Sequence, residues 1–327
     1  RMRYEHLVNY IASTIWAIDP CKLTELLSVV AFRAAGGRFT PEEIRARLDG
    51  VESARPMAGS QQGVAIIPMR GVIAHRMGSM QDSSGGTSCE RIGAMIDQAM
   101  QAKVSTILYD VDSPGGTVTG VPELAAKMFA LRGQVSQVAL VNGMAASAGY
   151  WLASQADEIL SIPTGSAGSI GVFTAHEDLS DALIKAGVKV TLISAGKYKT
   201  EGNPLGPLSD ETRAMLQARV DVAYGQFVAD VARGRGVSAA SVLAGFGQGR
   251  MLEGPEARSA GLVDRIATAD EALATLLGGG ASQGPRSLMR AEAPTTDRPE
   301  MMAPDEDGDC PEGYTMGEDQ QCHLMPE

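Results

Sequence analysis

QVALVNGMAASAGYWLAS, residues 137–154, opens as an apolar run, turns through Gly143 and small side chains, and resumes as a helical pattern at Ser147. A strand passing through a tight turn into a helix is a building unit of layered α/β proteins. That geometry exposes Ser147 at a helix N-terminus, where unpaired N–H groups and the helix dipole favour negative charge developing beside it. A serine at a helix start also serves as a plain N-cap. Both readings stand on this segment alone.

The same alternation extends in both directions. Before it come VAIIPMRGVI (64–73), a helix around 88–102, TILYDV (106–111) and a helix around 120–132. After it come a helix over about 147–155, EILSI (158–162), KVTLIS (189–194), a long helix from about Asp210 to Arg233, and a helix-strand unit ending at Leu262-Val263-Asp264. This order predicts an α/β layer architecture with parallel strands and right-handed crossovers. Residues 4–48 read as helical, with Leu23, Leu26, Leu27, Val30 and Ala31 at helical spacing and Pro41 opening a second helix that ends near Leu48. Val51–Gln62 is turn-rich and predicts a linker. The expected division is a helical N-terminal element with its linker (1–60), a main domain (61–277) and a disordered acidic tail (278–327).

The chain has 327 residues, 44% hydrophobic and 20% charged, as in an ordinary globular protein. Its net charge of −11 is concentrated at one end: Glu292–Glu327 holds 11 acids and one base, Arg298, or −10, leaving −1 for the rest. A near-neutral body with an acidic tail lacks the basic cluster that nucleic acid requires, so no DNA partner is expected. Cys21, Cys89, Cys310 and Cys322 are too scattered for a disulfide framework, which favours a reducing, cytoplasmic setting. Cys310, Cys322 and His323 fit no common zinc spacing. DEDGD (305–309) starts like a calcium loop, but position 316, where the closing glutamate belongs, is methionine. No metal and no cofactor are therefore expected. No run reaches the roughly 18–20 apolar residues of a membrane helix, and no secretory signal is present, so no membrane anchor is expected.

DVDSPGGTVTG (110–120) ends another strand in a Pro-Gly-Gly turn, whose glycines can aim backbone N–H groups at a carbonyl oxygen. Gly115 or Gly116 is a candidate oxyanion donor, with the N–H of Ala148 as the second; a simple strand-to-helix turn is the competing reading. A serine nucleophile needs a base. His6 and His323 lie in the terminal appendages, and His75 precedes the loop-like MGSMQDSSGG. His176 lies well within the main domain. Lys199 sits in SAGKYKTEGNP (194–204), and a lysine desolvated beside a serine gives up its proton more readily than one in water. A solvated surface lysine is the alternative.

The order strand-SPGG, AAS-x-GYW, GS-x-GSIGV (165–172) and G-x-YK-T, with GLVD at 261–264, resembles the signal peptide peptidase A family of the ClpP/crotonase fold over roughly residues 62–266. The resemblance implies a spiral of β-β-α units and a Ser/Lys serine endopeptidase working through an acyl-enzyme. In it Ser147 is the nucleophile, Lys199 the general base, Ser169 the residue that orients that lysine, and Gly115 and Gly116 the oxyanion-side turn. Ala148 departs from the glycine usual in the family and narrows the pocket slightly. The resemblance is nearest to the soluble phage and prophage branch of head maturation proteases, which shares a helical WAI-x-P leader, here Trp16 to Pro20.

That branch implies polypeptide partners: capsid or scaffold proteins, and this chain's own tail after about residue 280 as a site of self-cleavage. Since serine and lysine can come from neighbouring subunits in the family, a homo-oligomer is implied, in the host cytoplasm or the prohead. The competing expectations are a bacterial quality-control protease of the same family, a Ser-His-Asp peptidase with His176 as base, a crotonase-type acyl-CoA enzyme, and a non-catalytic capsid scaffold.

Overall fold

The computed structural model describes residues 14–20, 22–24, 28, 60–61, 63–77 and 86–277, and three short strands in the tail. The first strands are β1 (Trp16–Ile18), β2 (Ser60–Gln61), β3 (Val64–Arg70), β4 (Ile73–Ala74) and β5 (Thr87–Ser88), the last leading into helix α1 (Cys89–Gln101). β6 (Thr106–Ser113), β7 (Gly115–Thr117), α2 (Val121–Ala130), β8 (Ser136–Ala146), α3 (Ala148–Ala153), β9 (Glu158–Ser161) and β10 (Ser166–Gly168) follow. Then come α4 (Ser180–Lys185), α5 (Asp210–Arg235), α6 (Ala239–Gly245), β11 (Met251–Glu253), α7 (Gly254–Ser259), β12 (Arg265–Ile266) and α8 (Ala269–Leu277).

β3, β6 and β8 are the apolar runs read from the sequence, and they pair in parallel in one sheet. Helices cover such strands on both faces, so they need apolar side chains nearly throughout. β6 runs through the buried residues Ile107, Leu108, Tyr109 and Val111. Helix α1 shows the matching periodicity, with Ile92, Met95, Ile96 and Ala99 buried and the Ser88 hydroxyl accepting the Arg91 N–H at its start. The sheet order is β11-β10-β8-β6-β3-β2, and β9 and β12 continue from β8 on a side branch.

The branch point positions the site. Val138–Val141 of β8 pair with β9, and Met144–Ala146 pair with β10. Between these pairings Gly143 takes φ 133°, and a Cβ there would meet Asp112 Oδ1 at 2.6 Å. The two halves of β8 thus serve different neighbours, and the half that reaches Ser147 runs beside β10. β7 lies in a second sheet of order β1-β7-β4-β5, reached directly from the end of β6.

Helix α3 is buried on all sides and forms the floor of the core. Trp151 stacks on Phe227 of α5 with ring centroids 4.3 Å apart and donates its indole N–H to Asp230 at 2.9 Å. The Tyr150 hydroxyl donates to the Leu262 carbonyl at 2.9 Å. The carbonyls just past α3 are gathered by Arg132, which donates to Gln155 O at 2.9 Å and to Ala156 O and also reaches Gly234 O of α5 at 2.7 Å.

Several expectations are corrected. Trp16–Ile18 is a β-strand paired with β7, not part of a helical leader, because Trp16 and Ile18 pack with Leu23 in one cluster while Ala17 faces the main core. Residues 22–24 are helical, whereas Pro41, the second helix and most of the linker lie outside the described residues. The N-terminal element is therefore tied into the main domain through β1. KVTLIS (189–194) forms no strand: its residues are exposed, Ile193 to 96%, and a strand without a neighbour leaves its backbone unpaired. In the tail, where no order was expected, β13 (Met301–Met302), β14 (Tyr314–Met316) and β15 (Cys322–Leu324) form an antiparallel sheet of order β13-β15-β14. Short runs of residues that favour extended backbone suffice for such pairing. The tail from Pro285 is a compact unit distinct from the body.

Candidate active site

Ser147 joins β8 to α3 with φ 53° and ψ −115°. Those angles lie close to the about (+60°, −120°) of the first corner of a type II′ turn, where glycine is normally favoured. A serine held there stores strain of order 1–3 kcal/mol, and a nucleophile on a strained strand-to-helix turn is a recurring hydrolase arrangement. The surroundings enforce it. The Ser147 N–H donates to Gly168 O at 2.8 Å, and its carbonyl accepts the Trp151 N–H at 2.8 Å. Its hydroxyl donates to Gly171 O at 3.3 Å, and the residue is 0% exposed. No side-chain capping bond is made, so the plain N-cap reading does not describe this serine.

Ser169 stands one strand away. The parallel register pairs Ala146 with Gly168, which makes Ser147 and Ser169 the next residues on their strands. Ser169 also has a positive φ, 53°, is 7% exposed, and donates its N–H to Arg250 O at 2.8 Å. Two adjacent serines in left-handed backbone therefore close the ends of β8 and β10.

The Pro-Gly-Gly turn packs against this corner. A Cβ at Gly116 would lie 1.7 Å from Ile73 O. One at Gly115 would lie 2.2 Å from Ala17 O and 3.0 Å from Ala146 O. Only glycine permits this approach. The Gly115 N–H donates to Ser113 Oγ at 3.1 Å, and Gly116 is held in the ladder opposite Ala17 of β1, so each of the two candidate oxyanion donors faces a partner in the folded chain. Ala148 is fully buried at the first position of α3, where backbone N–H groups have no intrahelical partner.

The candidate bases are placed differently. Lys199 is exposed in a turn held by its N–H to Gly196 O at 3.1 Å, and its side chain has no hydrogen-bond or ion-pair partner among the described residues. His176 places Nε2 at 3.1 Å from Asn203 O, within the same outer segment. No residue from Gly171 to Glu211 is buried. Ser147, Ser169, Gly115, Gly116 and Ala148 therefore converge within the fold, and neither Lys199 nor His176 makes a hydrogen bond to Ser147. Sequence reasoning missed the Gly171 carbonyl, which sits inside the GSIGV motif, and the backbone strain at Ser147, which no residue type announces.

Residues 131–278 match the model of peptidase family S49. The head-tail preconnector protein GP5 of Enterobacteria phage P21 is 36% identical over 215 residues, 65% of this chain and 42% of that protein. The capsid assembly protease C of Escherichia phage lambda is 35% identical over 265 residues, 78% of this chain and 60% of that protein. A putative signal peptide peptidase SppA of Enterococcus faecium is 32% identical over 174 residues, 53% of this chain and 50% of that protein. The chain thus spans about half the length of the curated relatives it matches. Among the described residues no helix is long and apolar enough to cross a membrane. The match covers β8, the Ser147 corner, β10 and the Lys199 segment, and by it this chain carries a peptidase family S49 domain.

Proposed function

We propose that the chain is a serine endopeptidase with Ser147 as nucleophile and Lys199 as general base, acting in phage or prophage capsid maturation. The observation that carries the reading is the Ser147 corner: a fully buried serine in strained backbone, one register position from Ser169 and packed against the Pro-Gly-Gly turn. An N-cap or packing role needs none of that strain.

In this reading Ser147 Oγ attacks the scissile carbonyl carbon while its proton passes to Lys199 Nζ. The carbonyl oxygen, now an oxyanion, is held by the N–H groups of Gly116 and Ala148. The intermediate collapses, the amine product leaves with the proton from Lys199, and an acyl-Ser147 ester remains. Water then attacks the ester, Lys199 takes its proton, and Ser147 is regenerated as the acid product departs.

Lys199 reaches Ser147 across a subunit boundary. Its outer segment holds no buried residue and carries Ile184, Val188, Val190, Leu192, Ile193 and Tyr198 as exposed large apolar side chains, a density that a monomer surface rarely bears. Assembly of a homo-oligomer would bury these residues and desolvate the lysine. The resemblance to the capsid assembly protease C of phage lambda supports a role in capsid assembly; capsid or scaffold proteins as substrates, the prohead or host cytoplasm as the place, and the acidic tail as a self-cleavage site belong to the same proposal.

Mixing two inactive variants tests the shared site. Ser147→Ala supplies lysines and Lys199→Ala supplies serines, so randomly mixed rings should regain about a quarter of wild-type peptidase activity. Mixtures that stay inactive would reject the cross-subunit dyad. Activity retained in Lys199→Ala but lost in His176→Ala would reassign the base.

A further inference from the structure

β1 lies between the two segments that flank Ser147. On one side it pairs antiparallel with β7, in register Trp16 with Thr117, Ala17 with Gly116 and Ile18 with Gly115. On the other side Trp16 exchanges both backbone bonds with Phe173, its N–H donating to Phe173 O at 2.8 Å and its carbonyl accepting the Phe173 N–H at 3.0 Å. Phe173 follows Gly171, the acceptor of the Ser147 hydroxyl, by two residues. The three-residue strand is thus held between the two segments that flank the nucleophile.

Strand geometry sharpens the placement. In antiparallel pairing, successive residues turn their backbone groups to opposite sides. Trp16 spends both groups on Phe173, so Ala17 turns its N–H and carbonyl toward Gly116. Ala17 O and Ala146 O both lie within 3.0 Å of the point where a Cβ at Gly115 would stand. Ala17 therefore directs its carbonyl at the oxyanion turn, immediately beside the residue that precedes Ser147. The other edge of β7 is taken by β4, with Ile73 opposite Gly116. An extended peptide has no free edge of β7 to join, and Ser147 is 0% exposed.

We propose that β1 is a built-in pseudosubstrate: Trp16–Ile18 fills the peptide slot beside Ser147, and a substrate binds by displacing it. This rests on Ser147 as the nucleophile. The slot also describes the substrate. Ala17 is 0% exposed and faces the main core, while Trp16 and Ile18 pack on the opposite face with Leu23, Val72 and Phe173. An extended peptide with a small residue between two large apolar ones fits this slot, and adding it as a strand next to β7 supplies the main-chain bonds.

A reversible lock tests this in the full chain. In the double variant Trp16→Cys with Phe173→Cys the new cysteines face each other across a hydrogen-bonded antiparallel pair, at a separation a disulfide spans. The readout is labelling of the chain by a fluorophosphonate, with the 16–173 bond verified by peptide mapping. The oxidised protein should label at least about tenfold more slowly than the same protein after reduction, since only the fraction with β1 out is competent. Equal rates in both states would overturn the proposal. As a second variant, Ala17→Glu places a carboxylate on the core side and expels the strand; it should label at least about tenfold faster than wild type, and labelling at the wild-type rate would count against the proposal. Ser147→Ala separates the two layers: labelling that persists in it overturns the nucleophile assignment and the proposal together. Loss of labelling there, with no difference between locked and reduced proteins, overturns the proposal alone.

Discussion

Ser147 and Lys199 lie 52 positions apart in one chain and in opposite physical settings. Ser147 stands at the head of helix α3, every residue of which is buried, with Trp151, Tyr150 and Arg132 tying that helix to the rest of the core. Lys199 stands in a stretch where nothing from Gly171 to Glu211 is buried and, among the described residues, no hydrogen-bond or ion-pair partner holds the side chain. Helix α5 displays the same division within one element: Asp210–Val222 is exposed apart from Thr212 and a few half-buried positions, while Phe227, Val228 and Val231 are buried. The folded chain brings Ser147, Ser169 and the Pro-Gly-Gly turn together inside the core. Its outer limb exposes apolar side chains and Lys199, and under the proposed function a second copy of the chain covers them.

The largest expected effect tests the buried half. Ser147→Ala should lower peptidase activity by at least about 10³-fold while leaving the melting profile cooperative, because it removes the attacking atom and little packing. Activity within tenfold of wild type would mean that another residue attacks. Lys199→Ala should come next, with a loss on the order of 10²–10⁴-fold, as for removal of a general base. Lys199→Arg should not rescue it, since a guanidinium does not release its proton. Recovery with arginine would show a charge role rather than a base.

Ile193→Asp addresses the outer limb. Ile193 is 96% exposed, so an aspartate there should leave the isolated fold intact yet weaken association and reduce activity in step with the loss of oligomer. Light scattering and activity, measured on the same dilution series, check this. A fully active monomer would separate Lys199 from any neighbour and force the outer segment to close on its own Ser147.

Much of the inner half was legible in the sequence, because buried parallel strands and a buried helix are dictated by local apolar runs: β3, β6, β8 and α3 follow the patterns at 64–73, 106–111, 137–143 and 147–155. The Gly-Gly requirement was legible too, although its reason was not. It lies in the approach of Ala17 and Ile73, partners from distant parts of the chain. KVTLIS reads as a strand for a sound reason, since its residues favour extended backbone, but propensity cannot provide a neighbouring strand. WAI was misread in the opposite direction: three residues carry too little periodicity to separate strand from helix, and their pairing with β7 is a long-range fact. Where local pattern and burial coincide the sequence could be read, and where a partner from far away decides the outcome it could not.

Trp151→Ala should cost about 3–5 kcal/mol, as for aromatic truncations in cores, because it removes the stack on Phe227 and leaves the buried Asp230 carboxylate without the indole N–H. Chemical denaturation would measure it, and a cost below about 1 kcal/mol would show that α3 is not the anchor of the Ser147 corner.

The smallest effect isolates the strain itself. Ser147→Gly and Ser147→Ala both remove the hydroxyl and its bond to Gly171 O, so they should be equally inactive. They differ in what they do to a backbone held at φ 53° and ψ −115°. Alanine keeps the Cβ and hence the strain, whereas glycine adopts these angles without it, partly offset by the greater freedom glycine has in the unfolded chain. The glycine variant should therefore be the more stable of the two by about 1 kcal/mol, and comparable to or above wild type. Equal melting temperatures for the two would show that the corner is relaxed, and Ser147 would then lose the feature that most clearly separates it from an ordinary serine at the start of a helix.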